Sequence, residues 1–135
     1  MSLLVEMGSK VLFASSEHGI WPLVRCVAAH RAQIAGATAF DRVVGRAAAR
    51  LFAHAQVARV YTPVASQPAV DALSGAGTRL FPERIVPNIM ALGLADLCEM
   101  ERLSQQFDTA ESLFQHLLSL LPPLGSNGES APRQT

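Results

Sequence analysis

ATAFDRVVGRAAARLFAHA, residues 37–55, decides the fold of this 135-residue chain. Ala37–Phe40 is a short run of small and aromatic residues that reads as a buried strand, and Asp41 stands at the turn after it. From Arg42 to His54 the pattern changes period. Val43, Val44, Ala47, Ala48, Leu51, Phe52 and Ala55 recur at i, i+3/i+4 and i+7, which predicts a helix with one buried face. Gly45 falls inside that helix, where glycine costs about 1 kcal/mol relative to alanine. A neighbouring element or a ligand is therefore expected to approach its backbone closely. Arg42, Arg46 and Arg50 run along another face at a spacing of four.

Working outward, Leu3–Glu6 and Lys10–Ser15 read as a hairpin around Gly8-Ser9. After the turn Ser15–Ile20, Pro22 suits a first helical turn. Leu23, Val24, Val27, Ala28 and Ile34 then give the stripe of a helix ending near Gly36. Downstream, Ala58–Ala65 is a strand whose ladder Pro63 should interrupt near its end. Ser66 caps a helix through about Leu73, with Pro68 in its first turn. Thr78–Phe81 and Ile85–Val86 read as further buried segments. Alternating strands and helices after a hairpin predict an α/β sandwich with parallel strands in its middle. Asp96–Glu99 and Asp108–Glu111 have capping-box form, predicting helices from about Leu97 and Thr109. The second carries an apolar face, Leu113, Phe114, Leu117, Leu118 and Leu121, that must lie on the body or on a partner. The tail Gly125–Thr135 is expected to be disordered.

Lys and Arg balance Asp and Glu at 11 each, but residues 1–80 carry +4 and residues 81–135 carry −4. That asymmetry is too weak for a nucleic-acid surface, which needs clustered phosphate contacts. No apolar run approaches the ~18–20 residues of a membrane span, and Glu6 and Gly8 come too early for a signal peptide. Cys26 and Cys98, with no secretion signal, point to free thiols in the cytoplasm. Cys26 and His30 share a helix face, but with no third ligand core packing is the better reading.

From Leu3 to about Leu103 the chain resembles a small prokaryotic family of domains of unknown function with a cytidine-deaminase-like fold. The resemblance rests on Ser16, Gly19 and Pro22-Leu23, and above all on Asp41-Arg42-Val43-Val44-Gly45-Arg46-Ala47-Ala48-Ala49, where the family reads Asp-Lys-Val-Val-Gly-Lys-Ala-Ala. Val60-Tyr61, Ser66, Pro68-Ala69, Val86-Pro87 and Cys98 with Met100-Glu101 follow. Glu99 replaces the family's proline, and Ala91–Ala95 replaces its Asn/Gly-rich loop. The resemblance implies a three-layer, cytidine-deaminase-like α/β sandwich over residues 1–106; the amphipathic helix at 107–122 reads as an addition outside the resemblance. A zinc deaminase needs a His or Cys, then Ala and a general acid/base Glu, and a later Pro-Cys-x-x-Cys. Laid on this chain, that pattern puts Asp41 at the Glu. Its ligand positions fall at Ala39, Val64 and Gln67, which cannot hold zinc. No metal and no cofactor are implied.

The candidate ligand-binding residues are Asp41, Arg42, Gly45, Arg46, Ser66, Cys98 and Glu101. Asp41 is either a helix N-cap or a carboxylate at a pocket floor. Arg42 lies where a helix N-terminus already favours anions. Ser66 either caps its helix or donates to a ligand at a strand's carboxyl end. Cys98 feels a helix N-terminus that lowers a thiol pKa and a surround of Asp96, Glu99 and Glu101 that raises it. Glu101 shares its face. These residues predict a zinc-free domain binding a small anionic or nucleotide-like ligand. The alternatives are an enzyme with Cys98 as thiolate and Asp41 as base, or a homodimer formed through the Leu113–Leu121 helix.

Overall fold

The computed structural model describes residues 1–93 and 95–123. The expected tail 125–135 and the capping side chain of Asp96 lie outside what it describes. The chain opens with the predicted hairpin, β1 (Leu3–Met7) and β2 (Lys10–Ser15), whose turn places Gly8 at φ +61°, a left-handed conformation that favours glycine. Helix α1 (Trp21–Ile34) carries Pro22 in its first turn and buries Leu23, Val24, Cys26, Val27 and Ile34. Cys26, rather than the expected Ala28, completes the stripe. Gly36, at φ +84°, ends the excursion and β3 (Thr38–Asp41) follows.

Residues 43–44 correct the sequence reading. Val43-Val44 form a two-residue strand, β4, and helix α2 begins only at Arg46, running to His54. The two β-branched valines keep extended backbone and pair in parallel with Val64 and Ala65. Asp41 is thus the last residue of β3, not a helix cap. Gly45 is itself the N-cap of α2, outside the helix interior.

Strand β5 (Arg59–Ser66), helix α3 (Gln67–Leu73) and strand β6 (Arg79–Val86) complete the sheet. The two segments expected around 78–81 and 85–86 are one strand. β1 pairs antiparallel with β2 and β3, while β3, β4 and β6 all run parallel to β5. Because β6 occupies one edge of β5 along its length, β3 and β4 share the other, and Arg42 marks the break between them. Pro63, with no N–H to give, sits opposite that break. The ladder resumes at Val64, whose backbone N–H and C=O both bond the Thr62 hydroxyl, at 3.3 and 3.0 Å.

The crossovers β2–α1–β3, β3–α2–β5 and β5–α3–β6 progress in one direction across the sheet. Right-handed connections therefore put all three helices on one face. Leu3, Val5, Ala39 and Val60 point into that face and are buried, whereas Phe40 and Tyr61, alternating with them, are exposed. Helices α4 (Ala95–Ser104) and α5 (Ala110–Ser119), with the 3₁₀ turn Ile89–Leu92 before them, rest on α1 and α2. Among the described residues no helix covers the other face.

The apolar side of α5 lies on the body. Leu113, Phe114 and Leu117 belong to the same core as Phe52 and Val24, with Leu118 and Leu121 partly buried against it. Thr109 caps the helix, its hydroxyl accepting from the Ser112 N–H at 3.1 Å. The two cysteines are free thiols. Among the described residues no helix is long and apolar enough to cross a membrane.

Candidate functional site

The carboxyl end of β3 meets the starts of α1 and α2, and α4 closes over them. Between these elements lies a narrow crevice. Its walls are Gly19, Ile20 and Leu23 from the entry to α1, Val43, Gly45, Ala47 and Ala48 from β4 and α2, and Ile89, Leu97, Met100 and Glu101 from the closing segment. Asp41 stands at the end of β3 and completes it. Open α/β sheets bind ligands outside the carboxyl ends of their strands, so the position is the expected one for a site. The cavity itself is small, ≈ 20 Å³, which is room for about one water molecule.

Two carboxylates give the crevice its chemistry. Glu101 reaches from α4 to the start of α2, where its Oε2 accepts the Ala47 N–H at 3.0 Å. The first N–H groups of a helix have no intrahelical partner, and Gly45 has no side chain to serve them. Glu101 caps α2 from a distance of 54 residues in sequence. The glycine is what lets it in. A Cβ at position 45 would stand 2.8 Å from Glu101 Oε2 and 3.0 Å from Ile89 Cγ1. The close approach expected at Gly45 is thus made by neighbouring elements.

Asp41 differs. Its Oδ1 accepts the Arg42 N–H at 2.9 Å, and among the described residues no Lys, Arg or His forms an ion pair with it. Desolvation by the surrounding protein pushes its carboxyl up from an ordinary 3.8 to about 7, against the smaller opposing pull of the Arg42 N–H. A carboxyl that ionises near neutrality can take up or release a proton at little cost, the property of a general acid or base.

Of the seven sequence-predicted residues, the structure brings Asp41, Gly45 and Glu101 to one crevice. The other four are elsewhere. Arg42 is exposed and borders a shallow hollow of ≈ 430 Å³ on the bare side of the sheet, with Phe40, Tyr61, Glu83 and Asp41, which thus borders both cavities. Arg46 borders another hollow with Arg50, Asp71 and Asp108. Ser66 is buried, its hydroxyl accepting the Ala69 N–H at 3.2 Å as the cap of α3. Cys98 is half-buried on α4, outside the crevice wall that Leu97, Met100 and Glu101 form. Neither Arg42 nor Arg46 lines the crevice itself.

Arg50 has a structural task that the sequence pattern concealed. It donates to the backbone carbonyls of Ser104 and Phe107, fastening the end of α4 and the link to α5. Arg31 and His54 meet Glu111 of α5 at 3.3 and 2.6 Å. Arg25 pairs with the buried Glu17 at 2.7 Å and reaches the Pro122 carbonyl. Periodicity missed the crevice residues Gly19, Ile20 and Met100; Gly19 and Met100 carried signal only through the family motifs.

Among the described residues no group of three or more His, Cys, Asp or Glu side chains is placed to hold a metal ion. No curated protein matches the chain. A solved structure does: a DUF1893 family protein, TM1506, from Thermotoga maritima. It superposes with a TM-score of 0.76 at 24% identity, over 88% of this chain and 80% of that one, which shows a shared fold. The model of the TM1506 domain of unknown function, DUF1893, matches residues 1–121. The crevice, its glycine and its two carboxylates all lie within that span, and the chain belongs to the TM1506 (DUF1893) family.

Proposed function

We propose that the chain is a deaminase-like α/β domain that binds a small ligand in the crevice between β3, α1, α2 and α4. A hairpin followed by alternating strands and helices supports the deaminase-like reading. The observation that carries the binding reading is that Asp41 and Glu101 both line one largely apolar crevice at the carboxyl end of β3. Apolar walls with few convergent polar groups are the usual make-up of a small-molecule site.

Two carboxylates and no guanidinium favour a ligand that donates hydrogen bonds, rather than a phosphate or a small acid. An amine, or the amino edge of a nucleobase, has that chemistry. With a cavity of ≈ 20 Å³, entry requires α4 and the turn before it to move outward. The Glu101 contact with the Ala47 N–H is the latch that such movement breaks.

A thermal-shift panel of nucleobases, nucleosides, small amines and small acids tests this on the wild type and on Asp41→Asn. The expected result is stabilisation by donor-bearing neutral or cationic compounds, lost in the variant. Hits confined to acids, or hits that survive Asp41→Asn unchanged, contradict the proposal.

A further inference from the structure

On the bare side of the sheet, one row of side chains runs across five strands. In register it reads Ala14, Leu4, Phe40, Tyr61, Phe81, from β2 through β1, β3 and β5 to β6. The three aromatic rings stack in series: Phe40 on Tyr61 at 5.4 Å between centroids, and Tyr61 on Phe81 at 4.8 Å, with interplanar angles of 18° and 15°. Val11 and Ile85 extend the surface and are 53% and 49% exposed, while Phe40 and Tyr61 are each 39% exposed. Single exposed apolar residues are ordinary. A contiguous apolar band of this width marks a contact surface.

The charges flanking the band identify what it contacts. On one side of the aromatic row, the outward residues are Glu6, Thr38, Arg59 and Arg79. Arg79 lies 5.4 Å from the centroid of Phe81, and Arg59 bonds Thr38 at 3.2 Å. On the other side are Arg42 and Glu83, which share a hollow with Phe40 and Tyr61. Consider a two-fold axis lying along the row. It reverses strand direction while keeping each strand's place, so Arg79 of one copy faces Glu83 of the other, and Glu6 faces the neighbourhood of Arg42. Strand β6 alone shows the device, reading Arg79–Phe81–Glu83 along its outward side. The surface is its own complement, as an isologous interface must be.

We infer that two copies of this chain pack sheet against sheet across the Phe40–Tyr61–Phe81 row, with Arg79 and Glu83 exchanging ion pairs at the flank. Face-to-face packing of sheets is a standard arrangement. Five strands at ~4.8 Å spacing give a face on the order of 500–600 Å² in plan before side-chain relief is added, approaching the ~800 Å² per partner of a standard interface. Stacked aromatics on a sheet also suit single-stranded nucleic acid. Among the described residues the three arginines beside this row are split between its two sides and interspersed with Glu6 and Glu83 rather than gathered into a basic groove, which favours a second copy.

Sedimentation velocity across a micromolar concentration series tests the inference on the full chain. The wild type is expected to be a dimer. Arg79→Glu sets like charges against each other and is expected to weaken the dimer about tenfold or more. The swap Arg79→Glu with Glu83→Arg is expected to restore it. A wild type that stays monomeric overturns the proposal, as does a dimer that Arg79→Glu leaves unchanged. If the monomer binds a single-stranded oligonucleotide, the face serves nucleic acid instead. If a monomer becomes a dimer on deletion of residues 124–135, that segment is the occupant; either result also overturns the proposal.

Discussion

Gly45 and Glu101 form a pair that neither residue's local sequence reveals. The backbone at Gly45 is extended, with φ −97° and ψ −174°, which any residue adopts. The glycine is required for space, because Glu101 and Ile89 occupy the place of a side chain. Gly45→Ala is expected to destabilise the fold by about 1–2 kcal/mol, through crowding and through displacement of the Glu101 cap. In a Glu101→Ala background the same change should cost distinctly less, because the crowding carboxylate is gone. Urea denaturation of the double-mutant cycle reads this coupling. Additive effects would contradict the contact. The sequence signalled that something lies close to position 45, yet could not say what. The partner sits in another element, and its hydrogen bond depends on tertiary folding.

At the scale of elements, periodicity gave most of the order correctly and erred where two periods meet. Val43-Val44 fit both a helical stripe and a two-residue strand, and the strand forms because β5 offers Val64 and Ala65 as partners. The parallel pairing of β3, β5 and β6 followed from the alternation of strands and helices. The arginine series along α2 was legible as a series but not as a function. Arg42 is exposed, Arg46 borders a surface hollow, and Arg50 holds the α4–α5 connection. Arg50→Met keeps the aliphatic stem and removes the donors to Ser104 and Phe107. Its expected cost is about 1–3 kcal/mol. Hydrogen exchange should accelerate in α4 and in the link to α5 before it does in β5. Uniform acceleration across the sheet would contradict a local clamp.

In the whole molecule, the helices sit on one side of the sheet and the crevice opens where β3 ends. Desolvation at that point links Asp41 to the stability of the entire fold. Its folded-state pKa, about 7, lies above the ordinary 3.8, so the folded chain binds the proton more tightly than the unfolded one. The stabilisation from this group is full below about 3.8 and is lost as pH rises towards about 7. Asp41→Asn removes that slope, since the amide does not titrate. The measurement that reaches the central claim most directly is a carbon-13 NMR titration of the Asp41 side-chain carboxyl in the intact chain. A crevice-facing, desolvated carboxyl predicts an inflection near 7; an inflection near 3.8, the value of a solvated aspartate, would contradict the account.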